Sequence, residues 1–347
     1  MTKSIALATA TAIVALGAAA GSAQAQSREQ ISIVGSSTVF PFATVVAERF
    51  GQTTDYPTPR IESTGSGGGL RLFCQGVGVE NPDITNASRA IKASEQEACA
   101  ENGVTEITEV KIGYDGIVIA ADGSTEQLDL SKEQLWAALA EQVVVDGELV
   151  ANPATTWADV DSSLPAVEIA VYGPPPTSGT RDAFEELVME TGCPVDEIAG
   201  ILGDEDAAEE QCTLIREDGA YVDAGENDNL IVQRLQASPE AVGIFGFSFY
   251  DQNRDSLVSH MVGGVAPTFE TISSGDYGVS RSLFFYVKNA HVGVIPGMEE
   301  YLAEFTADQA IGPEGYLIDR GLIPLPEGER EDVRSRVANL TPMEMPN

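Results

Sequence analysis

Basic residues are scarce in this sequence: 19 lysines and arginines stand against 54 aspartates and glutamates, a formal net charge of -35 over 347 residues. A surface so negative repels nucleic acid and anionic lipid, and its ordinary role is solvation in salty surroundings. Histidine is rarer still. Only His260 and His291 occur, without the spacing of a metal pair, and none of the four cysteines forms a C-x-x-C motif, which argues against a zinc site. No Gly-x-Ser-x-Gly elbow and no Gly-Lys-Ser/Thr phosphate loop is present, so serine-hydrolase and nucleotide-hydrolysing chemistry lack their usual frameworks. A phosphatase would need a metal cluster or a cysteine nucleophile. The sequence is therefore read as a binding protein, not an enzyme, with no cofactor.

Long apolar runs are missing beyond the start of the chain. There, Lys3 precedes an apolar, small-residue stretch from Ile5 to Ala20, and Ala23-Gln24-Ala25 has the A-x-A form of a cleavage site. Residues 1–25 thus read as a secretory signal, with the mature chain beginning at Gln26. That stretch falls short of the ~20 residues of a bilayer span, and the first cysteine is Cys74, so neither membrane insertion nor a lipid anchor is expected. Without Lys3, 18 basic against 54 acidic residues leave a net of -36. An exported chain meets an oxidising compartment, where Cys74 with Cys99 and Cys193 with Cys212 read as two sequence-local disulfides.

Short apolar strands alternate with amphipathic stretches, which predicts an α/β architecture. Three places share one plan of strand, polar turn and helix. Ile31 to Val34 is a strand, Gly35-Ser36-Ser37-Thr38 a turn, and Val39, Ala43, Val46 and Phe50 fall at helical spacing. Arg60 to Glu62 runs through Ser63-Thr64-Gly65-Ser66-Gly67-Gly68-Gly69 into a short helix. Val167 to Tyr172 is the third strand, and Ser178-Gly179-Thr180-Arg181 opens a helix with Phe184, Leu187 and Val188 on its apolar face. Strands over Ile112–Ala120 and Ser282–Val287 bracket a middle segment of domain size and read as crossovers between two lobes. The aromatic run Phe245, Phe247, Phe249 and Tyr250 alternates at strand spacing and reads as lobe packing, while Trp136 and Trp157 read as anchors.

A helix N-terminus carries unpaired N–H groups and a partial positive charge, so glycine and hydroxyl residues there form an anion site. Three such termini converging would surround one tetrahedral oxyanion with fixed dipoles. Contact hydrogen bonds of this kind tolerate a negative protein, because exposed charge is screened over about 8 Å.

Five motifs carry a resemblance: GSSTVFP (Gly35 to Pro41), STGSGGGLRLFCQG (Ser63 to Gly76), DITNASRAIK (Asp83 to Lys92), YDG (Tyr114 to Gly116) and PPPTSGTRDAF (Pro174 to Phe184), with a closing GLIPLP. In this order, and spanning nearly the whole mature chain, they resemble the periplasmic phosphate-binding proteins of ABC transporters, the PstS type. The resemblance implies a two-lobed type II periplasmic binding protein fold with two crossover strands. The expected lobes are residues 26–114 with 283–347, and residues 115–282. It also implies a periplasmic, monomeric carrier that closes over inorganic phosphate and delivers it to membrane permease subunits of an ABC importer.

Carried over by motif, the ligand residues are Ser37, Thr38 and the Val39 amide, then Ser66 and Gly67, then Ser178, Gly179 and Thr180. An aspartate of the family's best-studied branch is replaced here by Ser88, which joins the expected ligands, and Pro174 stands where that branch has an arginine, so Arg89 and Arg181 are assigned the guanidinium role. A site made only of donors cannot reject sulfate, and Asp115 is the expected acceptor of the phosphate proton. Another tetrahedral oxyanion is the competing ligand, and a phosphatase-like enzyme the competing activity.

Overall fold

The computed structural model describes residues 28–225 and 228–345; the expected leader over residues 1–25 lies outside them. Strand β1 (Ser32–Gly35) leads into helix α1 (Phe40–Thr53), β2 (Arg60–Ser63) into α2 (Ser66–Phe73), and β3 (Ile84–Ala87) precedes α3 (Ala93–Glu101). β1 lies between β2 and β3 and runs parallel to both, the arrangement that helical crossovers produce. The apolar face of α1, with Ala43, Val46, Ala47 and Phe50 buried, recurs at helical spacing, and Pro41 sits harmlessly in its first turn.

A long strand, β4 (Ile107–Asp122), ties the two halves of the sheet together. Up to Gly116 it pairs antiparallel with strand Ser280–Lys288, which continues onto β3. From Ile117 onward it pairs antiparallel with strands Val242–Gly246 and Leu257–Ser259. Val242–Gly246 then continues in parallel to Val171–Gly173 and Tyr221–Asp223. β4 is buried along nearly its whole length, and from Ile117 to Ala121 its sequence is a continuous apolar run. The pairing partner of β4 thus changes between Gly116 and Ile117, within one continuous sheet.

The expected elements are present with shifted bounds. The strand expected over Val167–Tyr172 is confined to Val171–Gly173. The aromatic run departs from the strand expectation: Phe245 lies in strand Val242–Gly246, and Phe247, Phe249 and Tyr250 lie on helix Phe247–Gln252. The Gly321–Pro326 segment is extended, with Ile323 bridging Tyr114 through hydrogen bonds of 2.8 and 3.0 Å. A terminal helix, Glu327–Ala338, follows it, buries Val333 and Val337, and was not expected.

Both expected disulfides form, Cys74 with Cys99 and Cys193 with Cys212. The second closes a loop of 19 residues, whose closure removes about 3 kcal/mol of freedom from the unfolded chain on the loop-entropy model. Cys193→Ser/Cys212→Ser is expected to lose about that much in denaturant unfolding. An unchanged midpoint would show that the bridge adds nothing.

Trp136 and Trp157 are buried as anchors, and Trp136 Nε1 donates to the Cys212 carbonyl at 3.1 Å. His260 is buried too, its Nδ1 accepting from the Leu128 N–H at 3.1 Å, and burial lowers its pKa from 6.5 to about 4. Between those values the unfolded chain takes up a proton that the folded chain refuses, so stability falls as pH drops through that window. The loss is on the order of 2 to 3 kcal/mol. Chemical denaturation of His260→Gln at pH 7 and 4.5 should show a correspondingly smaller loss; an identical loss would assign the acid sensitivity elsewhere.

Candidate functional site

The first turn is shaped by Gly35, whose φ of +127° only glycine adopts freely; a Cβ there would lie 2.1 Å from the Asn86 carbonyl oxygen. From that point Ser36 donates its N–H to Asn86 and accepts from Phe40, which opens α1. Gly69 of α2 lies against Gly35, so close that an added Cβ would be 2.5 Å from the Gly35 Cα. The glycine run therefore serves packing as well as ligand approach: it seats the start of α2 beside the first turn. Ser88, at the end of β3, joins them by donating its N–H to Ser66 Oγ at 3.1 Å.

The third turn comes from the other half of the sheet. Ser178 caps helix Gly179–Phe184, its Oγ accepting from the Thr180 N–H at 3.2 Å. The helix runs on through a π-helical turn, Glu185–Met189, to Gly192. Gly179 rests on the first turn: an added Cβ would lie 3.0 Å from the Thr38 Cα and 3.3 Å from the Ser37 carbonyl oxygen. Residues 141 positions apart in sequence, Gly179 and Thr38, thus touch.

Two adjoining hollows share Thr38. One is lined by Thr38, Asp115, Ser178, Gly179 and Thr180, joined by Asp228, Phe249 and Arg320. The other is lined by Ser37, Thr38, Ser66, Gly67, Ser88 and Arg89, with Asp182 and Glu186 opposite. Ten of the twelve expected site residues therefore meet around one point.

The other two do not. Val39 lines neither hollow, because its N–H donates to Ser36 Oγ at 3.3 Å as the turn closes. Arg181 is buried and turned away: Nε meets Glu185 Oε1 at 2.5 Å, Nη1 reaches the Pro174 carbonyl at 3.5 Å, and the guanidinium stacks on Tyr221. It supports the loop before the third turn. Arg89 does line the second hollow, with its guanidinium held by both Glu95 oxygens at 2.8 and 2.9 Å.

The guanidinium at Thr38 belongs to Arg281, which the sequence reading missed. Its Nη2 donates to Thr38 Oγ1 at 2.6 Å, its Nη1 is bonded to Glu186, and its Nε lies 3.6 Å from Asp115 Oδ2. Arg281 faces Asp115 in the register of the crossover strands. Burial raises the Asp115 pKa above the usual carboxylate value, while the Arg281 charge and the Gly116 N–H oppose that shift. Asp115 Oδ2 has no hydrogen-bond partner among the described residues and so keeps acceptor capacity beside the hollow. A strand alternates its faces, so a lone arginine at the start of an apolar crossover strand was the available signal.

The arrangement provides helix-terminal dipoles, clustered hydroxyls, one buried guanidinium and one buried carboxylate. Those groups suit recognition of a small oxyanion that carries a proton. No cluster of residues able to hold a metal ion occurs among the described residues.

Comparison with known proteins places this geometry in a family. The profile described as "PBP superfamily domain" matches residues 20–309. The phosphate-binding protein PstS of Staphylococcus haemolyticus (strain JCSC1435) is 30% identical over 306 residues, 86% of this chain and 82% of that one. Protein SphX of Synechococcus elongatus is 30% identical over 266 residues, 75% of this chain and 68% of that one. In structure the chain is similar to a possible phosphate binding protein from Planctomyces limnophilus DSM 3776, with a TM-score of 0.71 at 24% identity, over 90% of this chain and 98% of that one. That likeness shows a shared fold, the type II periplasmic binding fold anticipated from the motifs. The chain belongs to the PBP superfamily and, within it, to the PstS-type family of phosphate-binding proteins.

Proposed function

We propose that this protein binds inorganic phosphate outside the cytoplasm and hands it to the permease subunits of an ABC importer, without covalent chemistry of its own. The observation that carries the reading is the meeting of the three glycine- and hydroxyl-rich turns at Thr38. A relative that bears the name phosphate-binding protein PstS supports the ligand.

Two lobes are proposed, residues 26–114 with 283–347 and residues 115–282, hinged near Asp115-Gly116 of β4 and the Ser280–Arg281 end of the strand paired with it. Phosphate would sit between them, held by Ser37, Thr38, Ser66, Gly67, Ser88, Ser178, Gly179 and Thr180, with Arg281 as the principal guanidinium and Arg89 at the rim. Asp115 would accept the ligand's proton. A cleaved leader at residues 1–25, a periplasmic address and a monomeric carrier complete the proposal. No helix among the described residues is long and apolar enough to cross a membrane, which suits a carrier that works beside its transporter.

Calorimetry on the purified mature chain tests the reading. One equivalent of phosphate should bind tightly at neutral pH, sulfate should compete poorly, and phosphate esters should remain unhydrolysed. Preference for sulfate would favour the competing oxyanion reading, and ester turnover the enzyme reading.

A further inference from the structure

We infer that the Glu186 carboxylate is an internal stand-in for the ligand: it occupies the Arg281 guanidinium and gives that position up when an oxyanion binds at Thr38. The inference rests on the phosphate-binding reading above and adds a device that sets the threshold for binding.

Arg281 is held from three sides, by Glu186 at Nη1, Thr38 Oγ1 at Nη2 and Asp115 beside Nε. Its side chain is 6% exposed, whereas that of Glu186 is 44% exposed. The arginine is fixed in the wall; the glutamate is free to swing into solvent. Thr38 Oγ1 stays on the guanidinium through its own strand-to-helix turn, and Asp115 through the strand register, so Glu186 is the one partner that can leave at little cost.

Glu186 lies in the π-helical turn Glu185–Met189, a helix irregularity of the kind that often occurs at functional positions. Glu186 thus lines, with Asp182, a hollow otherwise made of hydroxyls, glycine amides and Arg89, and of the two carboxylates it is the one bonded to Arg281.

Charge decides between coexistence and exchange. Asp115, Glu186 and Arg281 together already carry one net negative charge when ionised. A doubly charged oxyanion added beside an unmoved Glu186 would place several negative charges around one guanidinium, with repulsion of about 4 kcal/mol per close pair near a protein surface. Exchange keeps the arginine paired at every stage, which matters because a buried charge left unpaired is costly. It also filters. Chloride or sulfate must compete with a tethered carboxylate at high local concentration, and only an anion that uses the full set of turn contacts displaces it.

The test uses the full mature chain, inorganic phosphate and two variants. Glu186→Gln removes the charge at constant shape, and Glu186→Asp keeps the charge but shortens its reach. Both are expected to bind phosphate about tenfold more tightly than the parent and to be inhibited more strongly by sulfate and chloride, with unfolding midpoints near the parent's. Unchanged or weaker phosphate binding in both variants, with a parent chain that binds phosphate, overturns the inference and makes Glu186 a spectator or a contact of the bound state. Tightening in Glu186→Gln alone also overturns it, because that would be simple repulsion without occupancy. A parent chain that fails to bind phosphate would instead remove the phosphate reading, and the inference with it.

Discussion

Gly179→Val is expected to weaken phosphate binding by about a thousandfold while the chain stays folded. Gly179 opens the third helix where it rests on the first turn, and any Cβ there meets the Thr38 Cα at 3.0 Å. The obstacle is backbone, which cannot rotate aside as a side chain can. A valine props the two turns apart, so an oxyanion that touches one set of donors loses the other. Forfeiting two charge-assisted hydrogen bonds at about 1.5 to 3 kcal/mol each corresponds to roughly a thousandfold in affinity. Helix geometry accepts valine at this position at modest cost. Calorimetry measures the affinity and thermal unfolding controls for the fold. Affinity within threefold of the parent would mean that the contact between the turns is irrelevant to the ligand.

Asp115→Asn is expected to reduce the preference for phosphate over sulfate by about a hundredfold, chiefly through a gain in sulfate binding. Monohydrogen phosphate brings a proton that a carboxylate accepts, whereas sulfate brings none and sets two negatively charged oxygens face to face. Asparagine removes that repulsion and offers an N–H. The same argument gives a pH dependence. Burial raises the pKa of the Asp115 carboxyl, so acidification protonates it earlier than an exposed aspartate, and sulfate should compete better as pH falls towards that range. Competition calorimetry across pH measures both effects. An unchanged ratio in the variant, together with flat sulfate competition in the parent, would remove Asp115 from the selectivity account.

What the sequence made legible was local. Gly35 to Thr38, Ser63 to Gly69 and Ser178 to Thr180 each announce a strand, turn and helix, because glycine and hydroxyl residues at a helix start have a physical reason to be there. The strand through Tyr114-Asp115-Gly116 was legible over Ile112–Ala120, whereas its continuation to Ile107 and Asp122 was not, because Thr108, Glu109 and Lys111 interrupt the apolar pattern. Arg281 was not, since its role depends on register with Asp115 and contact with Thr38, both distant in the chain. Arg181 misled for the opposite reason. Its neighbourhood to Ser178-Gly179-Thr180 suggested a ligand, yet three residues along a helix turn it to another face, where Glu185 at i+4 pairs with it. The aromatic run Phe245 to Tyr250 was too short for its period to separate strand from helix, and Gly246 divides it between both.

One amide-resolved titration reaches the central claim directly. In ¹⁵N–¹H correlation spectra of the mature chain, rising phosphate should move the Thr38, Gly67 and Gly179 amides together, saturating at one equivalent. Shifts confined to one turn, or amides that saturate at different phosphate concentrations, would contradict a single oxyanion held by all three.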